Sequence, residues 1–110
     1  MQSGKLNRRV SILEQSSTQD ESGQYVDTWK PILSTWASIR AATGKEVYAA
    51  SGFTSQLSHV ITLRYNPAVT IRSSHRVQYQ DRIFDIQAVS DRDEGRAQIN
   101  LLCLERNEGQ

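Results

Sequence analysis

Cysteine, histidine and proline are scarce in this sequence of 110 residues. The single cysteine, Cys103, cannot form an internal disulfide, and a zinc site would need several further ligands. The two histidines, His59 and His75, do not belong to a motif with ligand spacing such as H-E-x-x-H. These absences argue against a disulfide scaffold and against a zinc enzyme.

Long apolar runs are also absent. No segment approaches the roughly 20 apolar residues that a membrane-spanning helix needs, and the polar N-terminus is not followed by the apolar stretch of a signal peptide. We therefore expect a soluble protein that is made in the cytoplasm. The length predicts one domain over residues 1–110.

Neither sign of charge is in large excess: the sequence has 13 Lys and Arg residues and 12 Asp and Glu residues, which gives a net charge of +1. A free-standing DNA-binding domain usually carries a strongly basic face. The basic residues are mostly arginine, which suits ion pairs at packed interfaces better than lysine does. Hydrophobic residues make up 37%, which fits either a thin core or a core completed by a neighbouring subunit.

The short apolar segments alternate with a period near two, which predicts β-strands. The predicted strands span residues 8–15, 25–29, 33–41, 56–65, 75–80, 83–89 and 97–105. A long polar loop is predicted over residues 16–24, with a turn at Asp20–Gly23, and Pro31 limits the second strand. The pattern predicts a mainly β fold: a small antiparallel barrel or sandwich of about six to seven strands.

One short helix is predicted between the third and fourth of these strands. Thr43 and Glu46 have the spacing of a capping box, in which each side chain accepts a hydrogen bond from the backbone amide of the other residue. Residues 47–50 are compatible with a helix, and Gly52 can end it.

The sequence contains no constellation that predicts catalysis, and we expect neither a cofactor nor a metal. His59 is expected to be packed within a strand, and His75 to lie at the surface. Cys103 lies in an apolar strand, where burial would raise its pKa and keep it inert. The acidic residues near position 93 alternate with arginines and predict a solvated turn.

The segments that carry a family resemblance follow one another across residues 5–105. They are Lys5–Ile12, Asp20–Gly23, Thr28–Trp29, Thr35–Arg40, Gly44–Glu46 with Ala49–Ala50, Ile61–Tyr65, Arg76–Tyr79, Arg82–Ile86 and Leu101–Glu105. The most distinctive pair is Trp-Ala-Ser-Ile-Arg at 36–40 followed by Arg-Ile-Phe-Asp-Ile at 82–86. Together they resemble the head–tail joining family of long-tailed bacteriophages, also called head-closure or head–tail adaptor proteins.

The resemblance implies a virion protein, encoded by a phage or prophage, that forms a ring beneath the portal after DNA packaging. The ring would extend the connector, contact a portal-side adaptor protein and a tail protein, and let double-stranded DNA pass through its lumen. We expect the free subunit to be monomeric, with no small-molecule substrate. In some relatives a loop closes the channel, and the candidates for that role here are Gly44, Lys45, Glu46, Val47, Tyr48, Gly52 and Phe53. Candidates for interface contacts are Trp29, Trp36, Arg40, Arg64 and Arg76.

Two alternatives stay open from the sequence. One is a tail-completion ring of the same particle. The other is a small barrel that binds single-stranded nucleic acid, in which aromatic rings stack on bases and arginines follow the backbone. Its candidate residues are Trp29, Trp36, Tyr79 and Phe84 for stacking, and Arg64, Arg76 and Arg82 for the backbone.

Overall fold

Six strands and one helix make up the computed structural model, which describes residues 6–50, 52, 57–90 and 98–106, apart from the side chain of Ala50. The elements are β1 (Arg8–Gln19), β2 (Tyr25–Ala41), α1 (Gly44–Ala50), β3 (His59–Arg64), β4 (Arg76–Tyr79), β5 (Arg82–Ser90) and β6 (Gln98–Arg106).

The strands form a closed barrel in the order β1-β2-β3-β6-β5-β4, and every pair of neighbours is antiparallel. Closure leaves the barrel wall without a free edge. The predicted mainly β fold with one short helix between strands is confirmed, and the antiparallel barrel is the form it takes.

The core follows directly from the alternation along the strands. Each strand sends every second side chain inwards, and Phe84 is the largest of the side chains that are fully buried. Fully burying a side chain of this kind stabilises the fold by about 1.5–3 kcal/mol. The core cluster consists of Val10, Ile12, Ala37, Ile61, Leu63, Val77, Phe84, Ile86, Ile99, Leu101 and Cys103.

The first two strands are longer than predicted. The expected polar loop over residues 16–24 is wrong for its first half, because β1 continues to Gln19 and pairs with β2 down to the pair Gln19–Tyr25. Ser and Gln have no strong strand preference of their own, so the pairing across the hairpin determines their conformation. The turn itself is confirmed: Asp20 Oδ1 accepts hydrogen bonds from the amides of Ser22 and Gln24, each at 2.9 Å.

The sequence had indicated two separate strands on either side of Pro31, but the structure has one continuous strand, β2. Ile12 is opposite Leu33 and Leu13 is opposite Pro31, so Ile32 is an extra residue at a β-bulge. A bulge is one of the few places where a strand accepts proline, because the ladder hydrogen bonds are locally interrupted there. One strand therefore runs continuously from Tyr25 to Ala41.

The hairpin β1–β2 extends past the barrel wall. The pairing of β1 with β4 stops at Leu13, and the pairing of β2 with β3 begins only at Ala37. We call residues 14–30 the arm: Glu14–Gln19 of β1, the turn, and Tyr25–Lys30 of β2. Its six-residue strand segments span about 20 Å. Because β1 and β2 run in opposite directions, the arm and helix α1 lie at opposite ends of the barrel.

His75 is buried, so the predicted surface position is wrong. Its side chain is only 5% exposed, and the loop before β4 turns back on itself, with the His75 amide donating to the carbonyl of Arg72 at 3.0 Å. His75 Nδ1 in turn accepts a hydrogen bond from the amide of Arg72 at 3.1 Å. Burial lowers the pKa of this imidazole below its ordinary value, which favours the neutral ring that the hydrogen bond requires.

Candidate assembly surfaces

Helix α1 begins at a capping box, as predicted. The Glu46 amide donates to Thr43 Oγ1 at 3.1 Å, and the Thr43 amide donates to Glu46 Oε1 at 2.9 Å. The guanidinium of Arg40, near the end of β2, also binds both carboxylate oxygens of Glu46, at 2.8 and 2.6 Å. These partners, Arg40 first and then the Thr43 amide, lower the pKa of Glu46 to about 2. The first turn of the helix is thereby fastened to the barrel.

The other face of this turn is open to solvent. Tyr48 is 83% exposed and Val47 is 42% exposed, and Gly44, Lys45 and Gly52 are exposed as well. Phe53, the last residue of the predicted channel loop, lies outside the described residues. The loop candidates that the structure describes thus form one end of the barrel, with an aromatic and an aliphatic side chain presented outwards.

A second open surface lies on the barrel wall, and we call Arg9, Trp36 and Arg64 the outer row. Arg9 and Trp36 are directly opposite each other in the β1–β2 ladder, and Arg64 follows Leu63, which pairs with Ala37. The Arg9 guanidinium lies 5.2 Å from the centre of the Trp36 ring, and its Nε donates to Ser34 Oγ at 3.2 Å. Trp36 remains 50% exposed.

The outer row is rich in positive charge that no described carboxylate neutralises. Among the residues that the structure describes, neither Arg9 nor Arg64 forms an ion pair with Asp or Glu. An exposed tryptophan beside two such arginines has the composition of an interface hot spot, which is enriched in Trp and Arg. The surface could accept carboxylates from a partner.

The remaining predicted interface residues make contacts within the chain. Arg40 is paired with Glu46, as described above. The Arg76 guanidinium lies 4.0 Å from the centre of the Trp29 ring, and its Nε donates to Asp85 Oδ1 at 2.8 Å. Asp85 Oδ2 accepts a further hydrogen bond from Arg106 at 2.7 Å. Of the five predicted residues, Trp36, Arg40 and Arg64 are exposed, whereas Trp29 and Arg76 are half-buried and contact each other.

The nucleophilic and basic side chains do not converge. Cys103 is fully buried, and burial raises the pKa of its thiol. His59 is packed edge-on against Phe84 with ring centres 5.3 Å apart, and its Nδ1 lies 2.9 Å from Ser58 Oγ. Within the described ranges there is no group of three or more His, Cys, Asp or Glu residues that could hold a metal ion. None of the described helices is long and apolar enough to cross a membrane.

The stacking surface of the alternative nucleic-acid-binding barrel is not assembled. Phe84 is fully buried and cannot contact a base. Trp29 is covered by Arg76, and Tyr79 is packed against the core cluster, with its hydroxyl accepting a hydrogen bond from Arg8 at 3.0 Å. Of the four aromatic residues that were expected to stack, only Trp36 is widely exposed.

Sequence reasoning missed two features, the place of Arg9 beside Trp36 and the projecting arm. Arg9 is recognisable as an outward residue from the alternation in β1, but its neighbour is 27 positions away and depends on the register of the hairpin. That register includes the bulge at Ile32, which no local pattern indicates.

Comparisons with known proteins agree with this architecture. The sequence model of the family described as "phage head completion protein" matches residues 1–106. Among solved structures, the chain is similar to a Shigella flexneri 2a protein determined in solution, with a TM-score of 0.78, 25% identity, and coverage of 98% of this chain and 99% of that one. It is also similar in fold to a chain of the virion of a native gene transfer agent particle.

That second likeness has a TM-score of 0.62 at 23% identity and covers 88% of this chain and 91% of the other. A search of curated proteins finds no match. The family model, which spans almost the whole chain, confirms the resemblance to phage head proteins. The chain belongs to the phage head completion protein family and is a structural component of the virion rather than an enzyme.

Proposed function

We propose that this protein forms a ring in the head–tail connector, where it closes the head after DNA packaging and provides the platform on which the tail docks. The observation that carries the proposal is the match to the head completion family over residues 1–106. The occurrence of a similar fold in a gene transfer agent virion supports it.

A ring of identical subunits needs two different surfaces that meet head-to-tail and close on themselves. The outer row supplies a surface of one kind, with Trp36 as the apolar contact and Arg9 and Arg64 as cations without an acidic partner in the described residues. In this proposal it docks on carboxylates of the adjacent subunit, where pairing with arginine is bidentate and directional.

The helix end is the part of the subunit that we place at the channel. Its exposed Tyr48 and Val47 can meet their counterparts from other copies and obstruct the lumen. The charges of the helix end nearly cancel, because Glu46 forms an ion pair with Arg40 and the remaining charged residue of the helix is Lys45. A lumen of this kind lets DNA pass without gripping it, since binding to the phosphate backbone rises with the number of phosphates neutralised.

The opposite end, with the arm, would face the other neighbour in the connector. The partners in this proposal are a portal-side adaptor protein, a tail protein and the double-stranded DNA in the lumen. The free subunit is monomeric and assembles on its docking partner, where local concentration favours the ring. A stable ring of the isolated protein in analytical ultracentrifugation would contradict this order of assembly.

The test uses full heads from a lysate that lacks this protein, to which the purified chain is added back. We expect the chain to bind the heads, to protect their DNA from nuclease and to restore tail joining. The double variant Val47→Ser with Tyr48→Ser should bind but leave the DNA unprotected, whereas the control Lys45→Ser on the same helix should protect it. Full protection by the double variant would overturn the role given to the helix end.

The outer row is tested in the same assay. Trp36→Ala with Arg64→Ala should fold normally, because both residues point away from the core, but should no longer form rings on the heads. Ser73→Ala, which alters an exposed residue of the loop before β4, away from the row, provides the comparison for protein quality. Unchanged ring formation by the outer-row variant would exclude this surface as a subunit interface.

A further inference from the structure

The arm has two unpaired edges. Each strand of the barrel has a neighbour on both sides over part of its length, but among the described residues neither Glu14–Gln19 nor Tyr25–Lys30 has a strand partner other than its own hairpin neighbour. An edge of this kind presents a row of backbone N–H and C=O groups and is a template for pairing with another strand.

The turn determines which residues present those groups. The Asp20 amide donates to the carbonyl of Gln24 at 2.8 Å, so Asp20 and Gln24 form a hydrogen-bonded pair. Bonded and non-bonded pairs alternate along an antiparallel hairpin. Ser17 and Asp27 are therefore a non-bonded pair, whose backbone groups point outwards along the two free edges, as do those of Gln19 with Tyr25 and Gln15 with Trp29.

The β1 edge lacks the residues with which edge strands are usually protected. Between Glu14 and Gln19 there is no proline, lysine, glycine or bulge. On the β2 edge, Pro31 cannot donate a hydrogen bond, so pairing along this edge ends beside Lys30, at the base of the arm. The two open edges thus cover the same length.

We propose that in the assembled ring the arms of adjacent copies pair edge to edge, β2 of one copy with β1 of the next. Within each hairpin the strands run in opposite directions, so such pairing continues the antiparallel alternation from copy to copy. When the ring closes, the arms form a continuous up-and-down β-collar with no free edge. This inference rests on the proposed ring and names the partner of the arm, which is a second copy of this chain.

The charges at the base of the arm fit this arrangement. Glu14 and Lys30 are opposite each other in the hairpin and both are exposed. Copies related by the ring axis stand at the same height, so Lys30 of one copy lies beside Glu14 of the next, and acidic and basic residues alternate around the collar. Opposite charges on neighbouring strands favour pairing, and like charges oppose it.

The polar composition of the β1 edge of the arm explains why a free subunit would stay monomeric, although Tyr25 and Val26 are exposed on the β2 edge. Ser16, Ser17, Thr18 and Gln19 bury little apolar area when they pair, so a single edge-to-edge contact is weak. A ring held on its docking partner brings all edges together at a high effective concentration, and the pairing then becomes intramolecular in effect.

The proposal is tested by disulfide trapping between two singly substituted chains. Ser17→Cys and Asp27→Cys are mixed in equal amounts, added to heads that lack the protein, and oxidised. Covalent dimers are expected only in the mixture, because each chain alone carries its new cysteine on one edge. The native Cys103 is buried and does not compete. Pairing Ser17→Cys with Tyr25→Cys covers a register shifted by two residues.

A backbone substitution gives an independent measurement. Ser17→Pro removes an outward N–H that the hairpin itself does not use, and should abolish ring closure on the heads. Ser17→Ala removes only the side-chain hydrogen bond to Asp27, which is 2.8 Å long, and should assemble normally. Rings that form on the heads without any covalent dimers, and equally well with Ser17→Pro, would overturn the collar while leaving the ring intact. A chain that does not bind the heads at all would overturn the proposed function as well.

Discussion

Thr43 and Glu46 satisfy each other's backbone amides at the start of a helix of only seven residues. So short a helix has little intrinsic stability, and its first turn depends on such contacts. Thr43→Ala should therefore destabilise the helix by about 1 kcal/mol. Hydrogen exchange of the Val47 amide, which donates to the Thr43 carbonyl at 3.0 Å, should become about fivefold faster.

Thr43→Ser is the matched control, because it keeps the accepting hydroxyl and should keep the protection of the Val47 amide. An exchange rate in Thr43→Ala equal to that of the parent chain would show that the cap does not hold the helix. The capping box was predicted from the sequence alone because all of its contacts lie within four residues.

The carboxylate of Glu46 makes the helix end sensitive to acid. Its pKa is lowered from 4.5 to about 2 by Arg40 and the Thr43 amide. A lowered pKa contributes stability that is fully present above the unfolded value and is lost as the pH falls through the folded value. Between pH 4.5 and about 2 we expect the helix to loosen, as measured by the NMR shifts of residues 44–49.

Glu46→Gln supplies the control for this pH dependence. The amide can still cap the helix but does not titrate, so the shifts of the same residues should change little over that range. Identical acid titration curves for the variant and the parent chain would mean that another group is responsible.

Cys103 should be unreactive in the native protein. Its side chain is fully buried and burial raises its thiol pKa, so little thiolate is formed and reagents cannot reach it. We expect modification by a thiol reagent at pH 8 to proceed at the rate at which the barrel opens. Ser17→Cys provides an exposed reference thiol on the same chain, and equal reactivity of the two thiols would contradict the buried position.

The histidines show how far residue-level reasoning extends. His59 was predicted to be packed within a strand, and the alternation with Ile61 and Leu63 was sufficient for that prediction. His75 was placed at the surface because its sequence neighbours are polar. It is buried by the fold of the loop over residues 65–75, and its hydrogen bonds to Arg72 are not encoded in any periodic pattern.

At the scale of elements, the hairpin β1–β2 is the part that local sequence described least well. The strands of the barrel wall alternate apolar and polar residues because one face is buried, and that alternation is visible in the sequence. The arm has no buried face, so residues 16–19 carry no such signal and were predicted as a loop, although residues 25–29 were predicted as a strand. The pairing between Ser17 and Asp27 and their neighbours establishes both strands.

The arm should be dispensable for folding. Replacing residues 15–29 by Asn-Gly would close the hairpin on the Glu14–Lys30 pair with a favoured two-residue turn. The loss includes the contact of Trp29 with Arg76, worth about 0.5–2 kcal/mol. The melting temperature should therefore fall by no more than about 15 °C.

Phe84→Ala gives the contrasting case in the same thermal measurement. It removes the largest of the fully buried side chains and should cost about 3–5 kcal/mol, a large part of the stability of a domain of this size. A trimmed chain that is less stable than Phe84→Ala would mean that the arm is part of the core structure rather than an extension for assembly.

At the scale of the whole molecule, the barrel follows from six strands that must bury one face each and eliminate their edges. The fold class and the helix insertion were predictable because both depend on local periodicity and capping. The sequence did not predict which charged side chains remain unpaired, because Arg40 and Arg76 meet their acidic partners, Glu46 and Asp85, only once the chain has folded. Trp36 and Arg64 are exposed, and their place in an interface stays a prediction.

The central claim is that this protein closes the head and joins it to the tail. Electron microscopy of particles from a lysate that lacks the protein tests it most directly. We predict filled heads that lose their DNA, accompanied by complete but unattached tails, and recovery of joined particles when the purified chain is added. Normal joined particles in the lysate without the protein would contradict the claim.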